Sequence, residues 1–156
     1  MSEVSGDAGT AGASAAAATT GNGGGEVRPG GGKTGGELRS TLPTVTLDAD
    51  AIQKFAEIEV HWGGDDESVK PTILIRGQES AVFHKDAARP TMELLREAGE
   101  HPTMTGGGRV KHSTQKRTIF VYGYSIEFGK ADLPRVAELC QAAYPDYEVT
   151  WKSEGY

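Results

Sequence analysis

The chain has 156 residues, one cysteine, 22 unevenly spread glycines and a formal charge of −6. That length holds one compact domain at most, the lone Cys140 excludes an internal disulfide and a multi-cysteine zinc site, and the acidic balance argues against bulk attraction to nucleic acid or an anionic membrane. An anionic substrate therefore needs a local basic site, for which Lys54, Arg76, His84, Lys85, Arg109, Lys111 and His112 are the candidates.

Residues 1–40 are Gly, Ala, Ser and Thr with almost no large apolar side chain. They bury too little surface to offset the entropy of ordering and read as a disordered tail. Gly30-Gly31-Gly32-Lys33-Thr34 looks like the end of a phosphate-binding Walker loop, but Val27 stands where its first glycine belongs and no strand precedes it. Glu3 and Asp7, without a basic start or a Leu-rich run, fit neither a secretory signal nor a transit peptide. No stretch approaches the roughly 18 apolar residues of a membrane span, so a cytoplasmic protein is the expectation. About 115 residues remain from position 41, enough to bury one core without metal or disulfide.

Leu42 to Leu47 is a short extended stretch with Pro43 at its entrance, where a missing N–H does least harm. Asp48 to Asp50 turn the chain. From Lys54 to Trp62 the pattern alternates, Ala56, Ile58, Val60 and Trp62 on one face against Glu57, Glu59 and His61 on the other, which predicts a half-buried strand. Gly63-Gly64-Asp65-Asp66 is a turn, and Pro71 to Arg76 a second β-rich run ending at Gly77. Helix formers follow between Ser80 and Gly99. Pro90 leaves two starts open, near Arg89 with the proline in the first turn, or at His84 with a kink. Arg109 to His112 predicts a short strand after Gly106-Gly107-Gly108, Ser113 to Lys116 a hairpin loop, and Thr118 to Tyr124 its partner, with Gly123 marking a bulge or close backbone approach. Asp132 caps a second helix with Pro134 in its first turn and Leu133, Val136, Ala137, Cys140 and Tyr144 as the apolar stripe, so Cys140 is a core residue. Tyr147 to Trp151 alternates as the last strand. The order β-β-β-α-β-β-α-β, with tight turns between neighbours, predicts an α+β domain with about six strands in a mostly antiparallel or mixed sheet and two helices.

Short motifs say little about chemistry. The four histidines contain no i, i+4 zinc pair, and Gly123-Tyr124-Ser125-Ile126-Glu127 lacks the second glycine of a serine-nucleophile turn. The basic run from Arg109 to Arg117 beside Phe120, Tyr122 and Tyr124 has the composition of a single-strand nucleic-acid surface, but a solvated hairpin suits the acidic balance better. His84 precedes or opens the first helix, where free N–H groups and the helix dipole favour an anion.

More specific is a set of long strings in one order: Gly106-Gly107-Gly108-Arg109-x-x-His112, Val121-Tyr122-Gly123-Tyr124-Ser125, Tyr144-Pro145-Asp146-Tyr147-Glu148-Val149-Thr150-Trp151 and Gly155-Tyr156, preceded by Leu74-Ile75-Arg76-Gly77 and Ala81-Val82-Phe83-His84. From about Thr44 onward they resemble the janus/ocnus-type protein phosphohistidine phosphatases. The resemblance implies a six-stranded sheet flanked by two helices and a monomeric phosphatase without metal or other cofactor. It would cleave the P–N bond of phosphohistidine, or phospholysine, in partner proteins. It assigns His84 as the proton acceptor for the attacking water, Lys54 as a substrate contact, Ser125, Ile126 and Glu127 as the loop whose backbone holds phosphate, Arg76 and Arg109 near or supporting that site, and Lys85 among the binding residues. The pattern departs at Leu133, where animal members often have a second histidine, at Glu127, where a small residue is common, and from Arg89 to Thr105. The alternative is a non-catalytic phosphate- or phosphoprotein-binding module on the same fold.

Overall fold

In chain order the structure forms α1 (Gly35–Thr41), β1 (Val45–Thr46), β2 (Ala51–His61), β3 (Thr72–Gln78), α2 (His84–Glu97), β4 (His101–Ser113), β5 (Thr118–Tyr122), α3 (Leu133–Ala143) and β6 (Glu148–Trp151). The computed structural model describes residues 33–64 and 66–153. Most of the expected tail, the glycines of the Walker-like string and Gly155-Tyr156 lie outside the described residues. The strands make one six-stranded mixed sheet in the order β1-β3-β2-β4-β5-β6, the α+β architecture expected. Only the edge pairs, β1 with β3 and β5 with β6, are parallel. Among the described residues no helix is long and apolar enough to cross a membrane.

Alternation on the central strands fills two separate cores. Ala56, Ile58, Val60, Trp62 and Leu74 pack with Leu38 of α1 and with Ala88 and Leu95 of α2. On the other face Phe55, Ile75, Val110, Ile119 and Val121 pack with Leu133, Val136 and Cys140 of α3. Cys140 is fully buried, and burial pushes its thiol up to about 12, as suits a core residue.

Several boundaries differ from the sequence reading. The tail was expected to run to residue 40, yet Gly35–Thr41 is helical. The Thr34 hydroxyl accepts from the Glu37 N–H at 3.1 Å, and the Glu37 carboxylate accepts from the Thr34 N–H at 2.8 Å. This capping box starts the helix, and Leu38 secures it by burying its side chain, a gain of about 1.5–3 kcal/mol. Among the described residues three helices therefore stand where two were expected. The strand predicted to be half-buried is covered on both faces at its centre, because it lies between α2 and α3. Glu57 is buried there, its carboxylate accepting from Thr105 Oγ1 at 2.9 Å and from the Asp132 N–H at 3.3 Å, which anchors the start of α3. β4 extends from His101 rather than Arg109, so the glycine triplet is strand and not a lead-in. β5 stops at Tyr122 because Gly123 turns to a φ of 76°.

Candidate active site

Of the two starts open for the first long helix, the structure takes the earlier. Phe83 is the extended N-cap of α2; phenylalanine has no acceptor, so only the returning half of a cap exists, the Asp86 carboxylate accepting from the Phe83 N–H at 2.8 Å. Pro90 lies inside the helix but on its exposed side. Water can there solvate the Asp86 carbonyl that the missing N–H leaves behind. α2 ends in a Gly99 turn with a φ of 84°, the Gly99 N–H on the Arg96 carbonyl and the Glu100 N–H on the Leu95 carbonyl, each at 2.9 Å.

This start puts His84 in the first helical turn with its ring buried against the sheet. Its Nδ1 stands 3.1 Å from the Phe55 carbonyl oxygen. A carbonyl only accepts, so Nδ1 carries the proton and the neutral ring keeps its lone pair at Nε2. Space for the ring exists because residue 107 is glycine. A Cβ there would lie 2.9 Å from His84 Nδ1 and 2.9 Å from the Phe55 oxygen. Burial, then the positive charges of Lys54 and Arg109, hold the imidazole below its ordinary value against the opposing pull of the Phe55 carbonyl. The ring is therefore neutral near pH 7.

Strand register supplies those charges. Lys54 on β2 is opposite Arg109 on β4, and Ala56 is opposite Gly107 one step along the same face. Both basic side chains are half-buried. The loop after β5 closes the other side. The Ser125 N–H donates to the Gly129 carbonyl at 3.1 Å, the Gly129 N–H returns to Ser125 at 2.8 Å, and the Gly107 N–H donates to the same Gly129 carbonyl at 3.1 Å. Ser125 is buried and its Oγ accepts from the Phe128 N–H at 3.1 Å. The loop is thus fastened to the strand residue beneath His84. Of the three N–H groups expected to hold an anion, those of Ser125, Ile126 and Glu127, the first is taken by the Gly129 carbonyl. Among the described residues no acceptor takes the other two.

The remaining candidates divide. Lys85 follows His84, and its Nζ lies 3.8 Å from Glu127 Oε1 and 5.7 Å from the centre of the Phe83 ring. Glu127, the position least expected beside a phosphate, therefore has a cation next to its carboxylate. Arg76 corrects the expectation of a binding residue. Its guanidinium is buried, with Nε on Thr91 Oγ1 at 2.9 Å and its Nη groups on the carbonyls of Pro43 at 2.8 Å, Ile75 at 2.9 Å and Thr44 at 3.3 Å. Burial brings it down to about 10. This fork ties β3 to α2 and to the segment before β1, and so positions His84 from behind. Lys111 faces Ile52 further along the site face. His112 is buried elsewhere, its ring against Tyr144 and Tyr147.

Three contributors escaped the sequence reading: the Phe55 carbonyl, Asp86 and Gly107. Only Gly107 left a signal, since glycine inside a strand marks close approach of another group. Val82 and Phe83, just before His84, and Ile126 of the loop are large apolar side chains left exposed. Among the described residues no group of His, Cys, Asp and Glu side chains is placed to hold a metal ion.

The pattern of the Janus/Ocnus family matches residues 39–148. The 14 kDa phosphohistidine phosphatase of Homo sapiens is 34% identical over 117 residues, covering 74% of this chain and 94% of that protein. Its counterpart from Sus scrofa is 33% identical over 123 residues, covering 74% and 93%. The sex-regulated protein janus-A of Drosophila melanogaster is equally similar, 33% over 120 residues, covering 77% and 86%.

Proposed function

The chain belongs to the Janus/Ocnus family, and from that premise we propose that it hydrolyses the P–N bond of phosphohistidine in proteins. The observation that carries this reading is the placement of His84: a buried, neutral imidazole with Nδ1 on a backbone carbonyl, beside Lys54 and Arg109 and near a loop in which two N–H groups have no acceptor among the described residues. In this reading Nε2 takes a proton from water, and the water oxygen bonds phosphorus opposite the substrate nitrogen. The P–N bond breaks, and an imidazole with a proton on its far nitrogen leaves neutral. Lys54 and Arg109 balance the charge on the phosphoryl oxygens, and the N–H groups of Ile126 and Glu127 hold them. Proton transfer by a positioned histidine is worth about 10²–10⁴ in rate.

Replacing His84 with Ala is expected to lower phosphate release from a phosphohistidine protein by about 10²–10⁴ while the circular dichroism spectrum is retained. Turnover at the wild-type rate in that variant overturns the reading. Activity is also expected to persist in excess chelator, and its loss there points to a bound metal. The janus-A relatives, equally similar, are named for sex regulation. A phosphoprotein-binding module on the same site is accordingly the second reading, and it predicts binding of the phosphorylated protein with no phosphate released.

A further inference from the structure

One flank of α2 carries basic side chains that continue past His84 and away from Lys54 and Arg109. Lys85, Arg89, Met92 and Arg96 recur at steps of four, three and four, which puts them on one stripe of the helix. With Met104 and Phe128 they line an open groove of about 480 Å³. Its lining holds three cations and no carboxylate, in a chain whose formal charge is −6. The two cations with partners are weakly engaged or only partly occupied. The Lys85–Glu127 contact is 3.8 Å long and half exposed, and Arg89 uses Nη2 alone on Asp86 at 2.7 Å. Among the described residues Arg96 enters no ion pair. Glu93 and Glu97 of the same helix are exposed and stay outside the lining.

The groove begins where the candidate active site ends. Lys85 follows His84 in sequence, and Phe128 closes the loop that carries the Ile126 and Glu127 N–H groups. From Lys85 to Arg96 the helix rises about 16 Å, the reach of about five extended residues. The apolar floor of Met92, Met104 and Phe128 adapts to varied side chains, while the cations select for negative charge.

We infer that this groove binds a carboxylate-rich segment of the same polypeptide that presents the phosphohistidine, so that acidic flanking sequence determines which proteins are dephosphorylated. The inference rests on the phosphatase reading and adds its substrate class. Two fluorescein-labelled peptides test it, each with a non-hydrolysable phosphotriazole in place of phosphohistidine, one flanked on both sides by four glutamates and the other by four lysines. Fluorescence anisotropy is expected to show the acidic peptide binding about tenfold tighter, the sum of several half-exposed ion pairs. Arg96→Glu is expected to remove most of that preference, and Arg96→Gln part of it, with hydrolysis of free phosphohistidine unchanged in both. Equal affinity for the two peptides, or a preference undiminished in Arg96→Glu, overturns the groove. Failure of the wild type to release phosphate from a phosphohistidine protein instead overturns the phosphatase reading, and the anisotropy comparison still decides the groove.

Discussion

The two faces of the sheet are built from alternate residues of the same strands and end up with different work. On the α3 face Phe55, Ile75, Val110, Ile119 and Val121 make an apolar layer across the strands. The α2 face starts the same way, with Ile58, Val60 and Leu74 under the helix, and then changes to Lys54 and Arg109 at the end where α2 begins. A helix with one apolar stripe covers only part of a long strand pair. Charge is tolerated where that cover thins, and His84 at the helix start is suspended over the boundary. The α3 face keeps an apolar layer, and the α2 face carries the candidate site at its charged end.

The sharpest way to break this contrast is to fill the gap beneath His84. Gly107→Ala adds one methyl group on the α2 face, 2.9 Å from both His84 Nδ1 and the Phe55 oxygen. One of the two must move, and a misplacement on the order of 1 Å costs up to about 10² in rate. kcat for phosphate release is expected to fall by that order with the sheet intact by circular dichroism. Undiminished kcat removes the Phe55 carbonyl contact from the mechanism.

The contrast was only partly legible in the sequence. The alternation from Ala56 to Trp62 and the Cys140 stripe are local patterns that survive in any context, so the strand and the second long helix were readable. What was hidden depends on partners distant in the chain. Nothing local says that Lys54 faces Arg109, since that pairing follows from register across strands. Nothing near Glu57 says that Thr105 and Asp132 will bury its carboxylate. Arg76 read as a site residue because a basic side chain next to Gly77 carries no sign that its acceptors are the carbonyls of Pro43 and Thr44. His84 itself was recoverable only through the family resemblance, because Pro90 obscured where α2 begins.

Arg76 gives the next largest effect, and it separates support from chemistry. Arg76→Met keeps the unbranched stem and removes the guanidinium fork, taking one donor from Thr91 Oγ1 and from the carbonyls of Pro43, Thr44 and Ile75, of which Thr44 keeps the Ile75 N–H. Leaving neutral buried acceptors unsatisfied costs about 1–3 kcal/mol, read as a lower urea midpoint. The acid limb of the rate profile is expected to stay where it is, because Arg76 is not among the groups that depress His84. Unchanged stability, with activity lost, returns Arg76 to the list of substrate contacts.

Lys54→Met is the mildest change and addresses the open half of the α2 face. In the proposed reaction its half-exposed ammonium contacts the phosphoryl group, so kcat/KM is expected to fall about tenfold, as for a single charged hydrogen bond. The same ammonium is one of the causes holding His84 below its ordinary value, after burial and ahead of Arg109. Protonation removes the Nε2 lone pair, so kcat/KM of the wild type falls as pH drops through that depressed value, below about 6.5. In Lys54→Met the limb is expected to move up towards 6.5 but not reach it, because burial remains. Stability follows the same sign. The unfolded chain takes up its proton first, near pH ~6.5, so the stability linked to neutral His84 is complete above that pH and is lost as pH falls through the folded value. A limb that stays in place when Lys54 is removed, with kcat/KM still reduced, leaves Lys54 as a substrate contact and assigns the depression to burial and Arg109.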